Sequence, residues 1–214
     1  MQSDEKQDHS GLRNMSTKSD DVAQYYDEWA ENYDETLARW RYEAPERAAG
    51  LLRAALPPDS VVLDAGCGTG LGGRALREAG FSVIDGIDVS QRSLDVAAKR
   101  GIYRSLEQVD MQKLPLQIGD AAYDGLICVG VMTYLPEGPA TLREFCRILR
   151  SGGALVLTQR TDLLQERNFP ELLEELELQG LISDVNISEP GPYLPENEEF
   201  GDEVMVHYIS ARVA

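Results

Sequence analysis

The chain has 214 residues, 43% of them apolar and 27% charged, which is room for one α/β domain with a sizeable core and little more. Its 37 acids outnumber 20 bases for a formal charge of −17, so neither nucleic acid nor an anionic membrane, both of which need clustered Lys and Arg, is an expected partner. No segment reaches the length of a membrane span and the N-terminal MQSDEKQDHSGLRNMSTKSD lacks the apolar stretch of a signal peptide, so the expected location is the cytoplasm.

Residues 1–20 are polar, without apolar periodicity, and are expected to form a disordered tail. From Asp21 the stretch DVAQYYDEWAENYDETLARW places Val22, Tyr25 or Tyr26, Trp29, Tyr33, Leu37 and Trp40 at helical spacings. APERAAGLLRAAL reads as a second helix with Pro45 in its first turn, and PPDS ends it. Together, residues 21–56 are expected to be a helical cover on a core spanning 57–214. The core then alternates. VVLDAG is a strand, GLGGRALREAG a helix, SVIDGIDVS a strand and QRSLDVAAKRG a helix. YRSLEQVD ends a third strand and YDGLICVGV is a fourth; GPATLREFCRILRSGG reads as a helix closed by its glycine pair, before the strand ALVLTQR. FPELLEELELQG is another helix, and ISDVNIS and EVMVHYISARV are two strands with no helix between them. Such alternation predicts a doubly wound, mostly parallel seven-stranded sheet covered on both faces, with an antiparallel pair at one edge.

Cys67, Cys128 and Cys146 form no CxxC pair and sit in apolar or glycine-rich surroundings, as reduced thiols do. With only His9 and His207 available, no zinc ligand set is expected.

The chemistry concentrates in VLDAGCGTG, residues 62–70. A glycine-rich turn between strand and helix lets a ligand approach the backbone at the carboxyl edge of a parallel sheet. The Walker pattern is absent, and the glycines fall as GxGxG at Gly66, Gly68 and Gly70. Carboxylates recur at or near the ends of the first three strands, at Asp64, Asp88 and Asp110. An acid at Asp88 is placed to accept hydrogen bonds from two ribose hydroxyls, a feature shared by NAD and S-adenosylmethionine sites. Asp110 offers an acceptor to an exocyclic adenine amine. Asp64, just before the loop, would repel a pyrophosphate and hold an ammonium group, so a site lined by acids without Lys or Arg suits a cation.

VLDAGCGTG, GIDVS, VDMQKLPL and YDGLICVGVMTYLP, in that order, resemble the successive motifs of the class I S-adenosylmethionine-dependent methyltransferases. Within that family, YYDEWAENYDETLARWRYEAP, RGIYRSLEQVD and VGVMTYLP resemble the methyltransferase-like proteins of the Williams–Beuren region type. The resemblance implies a Rossmann-like methyltransferase fold, with S-adenosylmethionine as cofactor and S-adenosylhomocysteine as product. It further implies that Gly66, Cys67, Gly68 and Gly70 line the methionyl part, with Asp64 organising the loop and the amino group. Asp88 and Val89 would take the ribose, Asp110 and Met111 would frame the adenine, and Val129 would contribute backbone to the amino group. The two Tyr-Asp pairs at 26–27 and 33–34 match the family's cofactor-covering segment and point to Tyr33 as a contact.

A small-molecule acceptor, methylated at O, N or C, is then expected beyond the fourth and fifth strands, at Met132, Tyr134 and Arg160, with Thr133, Thr158 and Tyr193 near them. In-line methyl transfer demands positioning and exclusion of water more than acid or metal catalysis. No catalytic base is assigned: strand alternation puts His207 with Met205 and Ile209, as a packed sheet residue. Two other functions make distinct demands on the sequence. A methyltransferase-fold protein that binds a cofactor or partner without catalysis predicts a degraded glycine loop or a missing ribose acid, and neither occurs. An NAD-dependent oxidoreductase predicts a YxxxK pair after the second strand, and none is present.

Overall fold

Three helices precede the first strand in the computed structural model, which describes residues 16–199 and 203–214. The tail expected over residues 1–20 falls mostly outside the described residues, and its last two positions already belong to helix α1, Ser19–Trp29. The aromatic periodicity that predicts one helix over this segment is broken at residues 30–32, where the Asn32 amide bonds the Trp29 carbonyl at 3.0 Å. Helix α2, Tyr33–Arg39, starts after the break. The turn lets Trp29, fully buried, join Leu37, Leu194 and Val204 in one cluster. Helix α3, Ala44–Ala55, carries Pro45 in its first turn and buries Ala48, Ala49 and Leu52. Those three side chains pack against the sheet, so α3 belongs to a sheet-covering layer.

The strands are β1 Val61–Ala65, β2 Val83–Asp88, β3 Ser105–Gln108, β4 Tyr123–Cys128, β5 Leu149–Arg160, β6 Ile182–Ile187, β7 Gly191–Pro192 and β8 Met205–Val213. They lie in the order β3-β2-β1-β4-β5-β8-β6, with the two-residue β7 also on β8. β1 to β5 run parallel, and β8 runs antiparallel to β5 and β6. The antiparallel pair expected at the edge is therefore a strand inserted between β5 and β6, held to β5 from Ala154↔Arg212 to Arg160↔Val206.

Alternate residues feed two layers, as a sheet covered on both faces requires. Val62, Ile84, Ile127 and Val156 meet Leu52 of α3 and Leu76 of helix α4, Leu71–Glu78. Leu63, Leu126, Leu155 and Leu157 share a cluster with helices α6, Gly138–Ile148, and α8, Phe169–Leu178. Helix α5, Gln91–Ala98, joins β2 to β3, and the short α7, Thr161–Glu166, follows β5. The sequence places the end of α6 at the glycine pair, but the helix stops at Ile148. Leu149 already pairs with Tyr123, and Gly152, at φ +77°, lies inside β5 where the register with β4 shifts. An apolar residue gains more by entering the sheet than by extending the helix, and the glycine supplies the bulge.

Candidate active site

The carboxyl ends of β1 to β5 share one edge, and the loop 66–70 rises from the middle of it. Gly66 has φ +79°, and a Cβ there would sit 2.2 Å from a methyl of Val131, so both conformation and space demand glycine. The Gly66 and Cys67 amides donate to the Ile87 carbonyl at 2.8 and 3.0 Å, which folds the loop over the end of β2. Gly68 faces open space, and its amide donates to Asp88 Oδ2 at 2.8 Å. Asp88 Oδ1 accepts from the Ser90 amide at 2.8 Å, so one carboxylate ties the glycine loop to the start of α5. Burial raises its pKa, against the pull of those backbone bonds. Gly70, at φ +94°, caps α4. Asp110 lies two residues beyond β3, where Oδ1 accepts from Ser19 Oγ at 2.8 Å and from the Gln112 amide at 3.0 Å.

Asp64 sits behind the loop, 2% exposed. The Tyr103 hydroxyl donates to its Oδ2 at 2.7 Å while accepting from the Gly73 amide at 3.0 Å. A Cβ on Gly72 would stand 2.6 Å from the same oxygen, so that glycine is what lets α4 begin against the carboxylate. Burial pushes Asp64 up to about 7, the Tyr103 bond opposing and the charge of Asp88 adding. The Cys67 thiol is raised by burial and by the fields of Asp64 and Asp88, which leaves it protonated and unsuited to nucleophilic attack.

Two cavities adjoin. The first is lined by Tyr33, Gly66, Gly68, Asp88, Val89, Asp110, Met111 and Val129 among others. A smaller recess beside it takes in Asp64 and Cys67. The second, narrower, is walled by Tyr26, Tyr33, Tyr42, Tyr134 and Tyr193 with Thr133, Thr158 and Arg160. Tyr26, Tyr33, Gly130 and Tyr134 line both. Of the residues expected to meet an acceptor, Tyr134 and Arg160 reach the second cavity. Met132 does not: its side chain is 0% exposed and lies in the core under α6. The register of the 3-10 turn Met132–Tyr134 sends Tyr134 outward to the cavity and Met132 inward. His207 bonds the Ser188 carbonyl through Nδ1 at 2.7 Å and lines neither cavity, in keeping with a packed sheet histidine.

Sequence reasoning missed Tyr103, which no local motif marks, and Gln112, whose side-chain amide donates to the Thr17 and Tyr134 carbonyls across the first cavity. It also missed the role of the aspartates in the two Tyr-Asp pairs. Asp27 accepts from Ser90 Oγ at 2.5 Å and from the Arg92 amide at 3.2 Å. Asp34 accepts from Thr69 Oγ1 at 2.6 Å and pairs with Arg100. Seven residues apart, the aspartates fasten α1 and α2 to the rim while the tyrosines before them line the cavities.

The lining of the first cavity suits one class of cofactor. It holds Asp88 and Asp110 and, among the described residues, no Lys or Arg, which favours an adenosine-bearing cation over a dinucleotide with its pyrophosphate. Comparison with known proteins agrees. The family described as a methyltransferase domain matches residues 63–157. Human methyltransferase-like protein 27 is 33% identical over 170 residues, covering 75% of this chain and 69% of that protein. The malonyl-[acyl-carrier protein] O-methyltransferase of Serratia marcescens is 34% identical over 137 residues, 64% of this chain, which spans only about half of that enzyme, 51%. In three dimensions, magnesium protoporphyrin IX methyltransferase from Synechocystis PCC 6803, solved with S-adenosylmethionine bound, superposes with a TM-score of 0.67 at 18% identity, over 94% of this chain and 99% of its own. A relative this similar over most of both chains, on this fold and around a cavity of this chemistry, settles the family: the chain belongs to the class I S-adenosylmethionine-dependent methyltransferases and takes S-adenosylmethionine as its cofactor.

Proposed function

We propose that the chain moves a methyl group from S-adenosylmethionine, held in the first cavity, to a small-molecule acceptor held in the second. The observation that carries this reading is that two cavities of contrasting lining meet at Tyr26, Tyr33, Gly130 and Tyr134 on the carboxyl edge of the sheet. When bound, the cofactor supplies a methyl group made electrophilic by its sulfonium. Asp88 would accept from the ribose hydroxyls, since each of its oxygens spends one lone pair on a backbone amide and keeps another. Asp110 and Met111 would frame the adenine with Val89 beneath the sugar. Gly66, Cys67 and Gly68 would shape the methionyl end, with Asp64 and the backbone of Val129 toward the amino group and Tyr33 above; Gly70, expected beside them, lines neither the first cavity nor its recess and instead starts α4 against Arg100 and Tyr103. Helices α1 and α2 would act as a lid over both ligands, and Tyr134 and Arg160 would bind the acceptor. Catalysis then rests on alignment and dryness, which a buried tyrosine wall provides. The Serratia relative is named for O-methylation of malonyl-[acyl-carrier protein], which makes oxygen one of the acceptor atoms to test.

Calorimetric titration with S-adenosylmethionine, S-adenosylhomocysteine and NAD tests the cofactor site. Binding of the first two and not NAD is the expected result; NAD alone would reverse it. Release of S-adenosylhomocysteine on adding an acceptor panel then tests transfer.

A further inference from the structure

Gly73 follows the glycine loop closely, yet it lines neither cavity nor the recess beside them. Its partner is Tyr103, in the segment between α5 and β3. A Cβ at Gly73 would stand 2.3 Å from the Tyr103 hydroxyl oxygen, and one at Gly86 of β2 would stand 3.0 Å from the same ring. The chain therefore keeps a slot open between α4 and β2. The phenol fills it, with its ring packed against the layer of Leu76 and Ile84.

The slot ends at Asp64. The Tyr103 hydroxyl gives its one proton to Asp64 Oδ2 at 2.7 Å, and the Gly73 amide, donating to that hydroxyl at 3.0 Å, fixes the direction in which the proton points. Burial and the charge of Asp64 raise the phenol well above its ordinary range, so it stays a donor. Asp64 is part of the wall of the recess, with Tyr33 and Tyr42. Tyr103 lines neither the recess nor either cavity, so it reaches the site only through the carboxylate.

We infer that Tyr103 is a positioning residue of the cofactor site, holding the Asp64 carboxylate as the partner of the cofactor's ammonium group. This rests on the reading that turns the amino group toward Asp64. Without a donor, a carboxylate buried this deeply tends to take a proton, and the anion that would attract an ammonium becomes a neutral group. The Tyr103 bond is the strongest of the influences that oppose burial at Asp64, ahead of the Gly73 amide, while the charge of Asp88 works with burial. Around the same carboxylate, Cys67 of the loop, Cys128 of β4, and Tyr33 and Tyr42 across the recess are all raised by burial and stay neutral. The phenol therefore widens the pH range over which the recess carries a negative charge.

The test titrates the full chain with S-adenosylhomocysteine and with 5′-methylthioadenosine, by calorimetry from about pH 5.5 to about pH 8.5 at constant ionic strength. Both ligands carry the adenosine and the thioether, but only the first has an ammonium group. Any titration of Asp88 at the ribose appears with both, so the ratio of the two affinities isolates Asp64. In wild type that ratio should fall by up to about tenfold per pH unit below 7. Tyr103→Phe, which keeps the ring in its slot, should move the fall upward by up to about one pH unit, making the ratio about three- to tenfold lower near pH 6.5 and restoring it near pH 8.5. Asp64→Asn should flatten the ratio, and adding Tyr103→Phe to it should change the ratio by less than about twofold. A Tyr103→Phe profile that coincides with wild type, or lies below it by one factor at every pH, overturns the inference. Should that variant fail to fold, wild type decides through Cζ of isotope-labelled Tyr103. Its resonance should move with the midpoint of the ratio and on adding S-adenosylhomocysteine but not 5′-methylthioadenosine; a resonance that ignores both pH and ligand overturns the inference. If S-adenosylhomocysteine does not bind, the cofactor reading falls. If the wild-type ratio ignores pH, Asp64 is removed from the amino group and the inference falls with it; if the ratio responds and Tyr103→Phe leaves it unmoved, only the role of Tyr103 falls.

Discussion

Asp88 has a double duty at the residue scale, since the same two oxygens that would meet a ribose also anchor Gly68 and Ser90. Asp88→Ala is expected to weaken S-adenosylhomocysteine binding by about 1.5–3 kcal/mol, the range for a charge-assisted bond set, as read by calorimetry. Asp88→Asn, which keeps one acceptor, should lose less. Asp64 yields a pH dependence. Its folded pKa, about 7, lies above the ordinary value of 3.8, so between those values the unfolded chain releases a proton that the folded chain keeps. Stability from this group is complete below about pH 4, falls as pH rises toward 7 and is level beyond. Asp64→Asn should remove that slope, so its stability relative to wild type should rise by up to a few kcal/mol between pH 5 and pH 8 in urea titrations. Ligand binding runs oppositely. A cation beside Asp64 favours the ionised carboxylate, so S-adenosylhomocysteine affinity should fall by up to about tenfold per pH unit below 7, in calorimetry at constant ionic strength.

At the element scale the paired Tyr-Asp motif does more than periodicity suggests. Read as a helix face, Tyr26, Trp29 and Tyr33 are one aromatic stripe; in the structure Trp29 is core, the tyrosines are cavity wall, and Asp27 and Asp34 are fastenings. The sequence could not show the fastenings because their partners are distant in the chain: Thr69 lies in the glycine loop, and Ser90, Arg92 and Arg100 lie beyond it. Asp34→Ala is expected to speed S-adenosylhomocysteine release about three- to tenfold in stopped-flow traces, the loss of one partly buried ion pair and one hydrogen bond. Arg100→Ala should do the same, and the double variant should fall short of the sum, since one contact is removed twice. Elsewhere the elements of the core follow from the strand and helix patterns, and the departures are local. Helix α6 ends before its glycines, and β8 enters the sheet between β5 and β6, because burial of Leu149 and the long pairing with β5 outweigh turn propensity.

For the whole molecule, −17 of net charge works against the compact state through self-repulsion, which salt screens. Raising the salt from low to moderate ionic strength should therefore raise the Tm by a few degrees in scanning fluorimetry, with most of the gain before the Debye length drops below about 10 Å. The acids are unevenly placed about the two cavities: Asp88 and Asp110 line the first, where we propose that the cofactor binds, and no carboxylate is among the described residues that line the second.

The sequence by itself determined the sheet, the family and the glycine loop with its carboxylates, because each is written in short segments: apolar runs of strand length, glycines two apart, an acid at a strand end. Cys67, Val89, Met111 and Val129 were singled out through the family resemblance alone, and they stand at the wall of the first cavity or of the recess beside it. Only the tertiary structure decided that Tyr103 meets Asp64, that Met132 turns inward while Tyr134 turns out, that Tyr26 reaches Tyr134 across 108 residues and that Tyr42 reaches Tyr193 across 151. Such pairings depend on how helices settle on a finished sheet. A hydroxyl or a guanidinium carries no local signal of its partner, and burial fixes the partner only after the chain has folded.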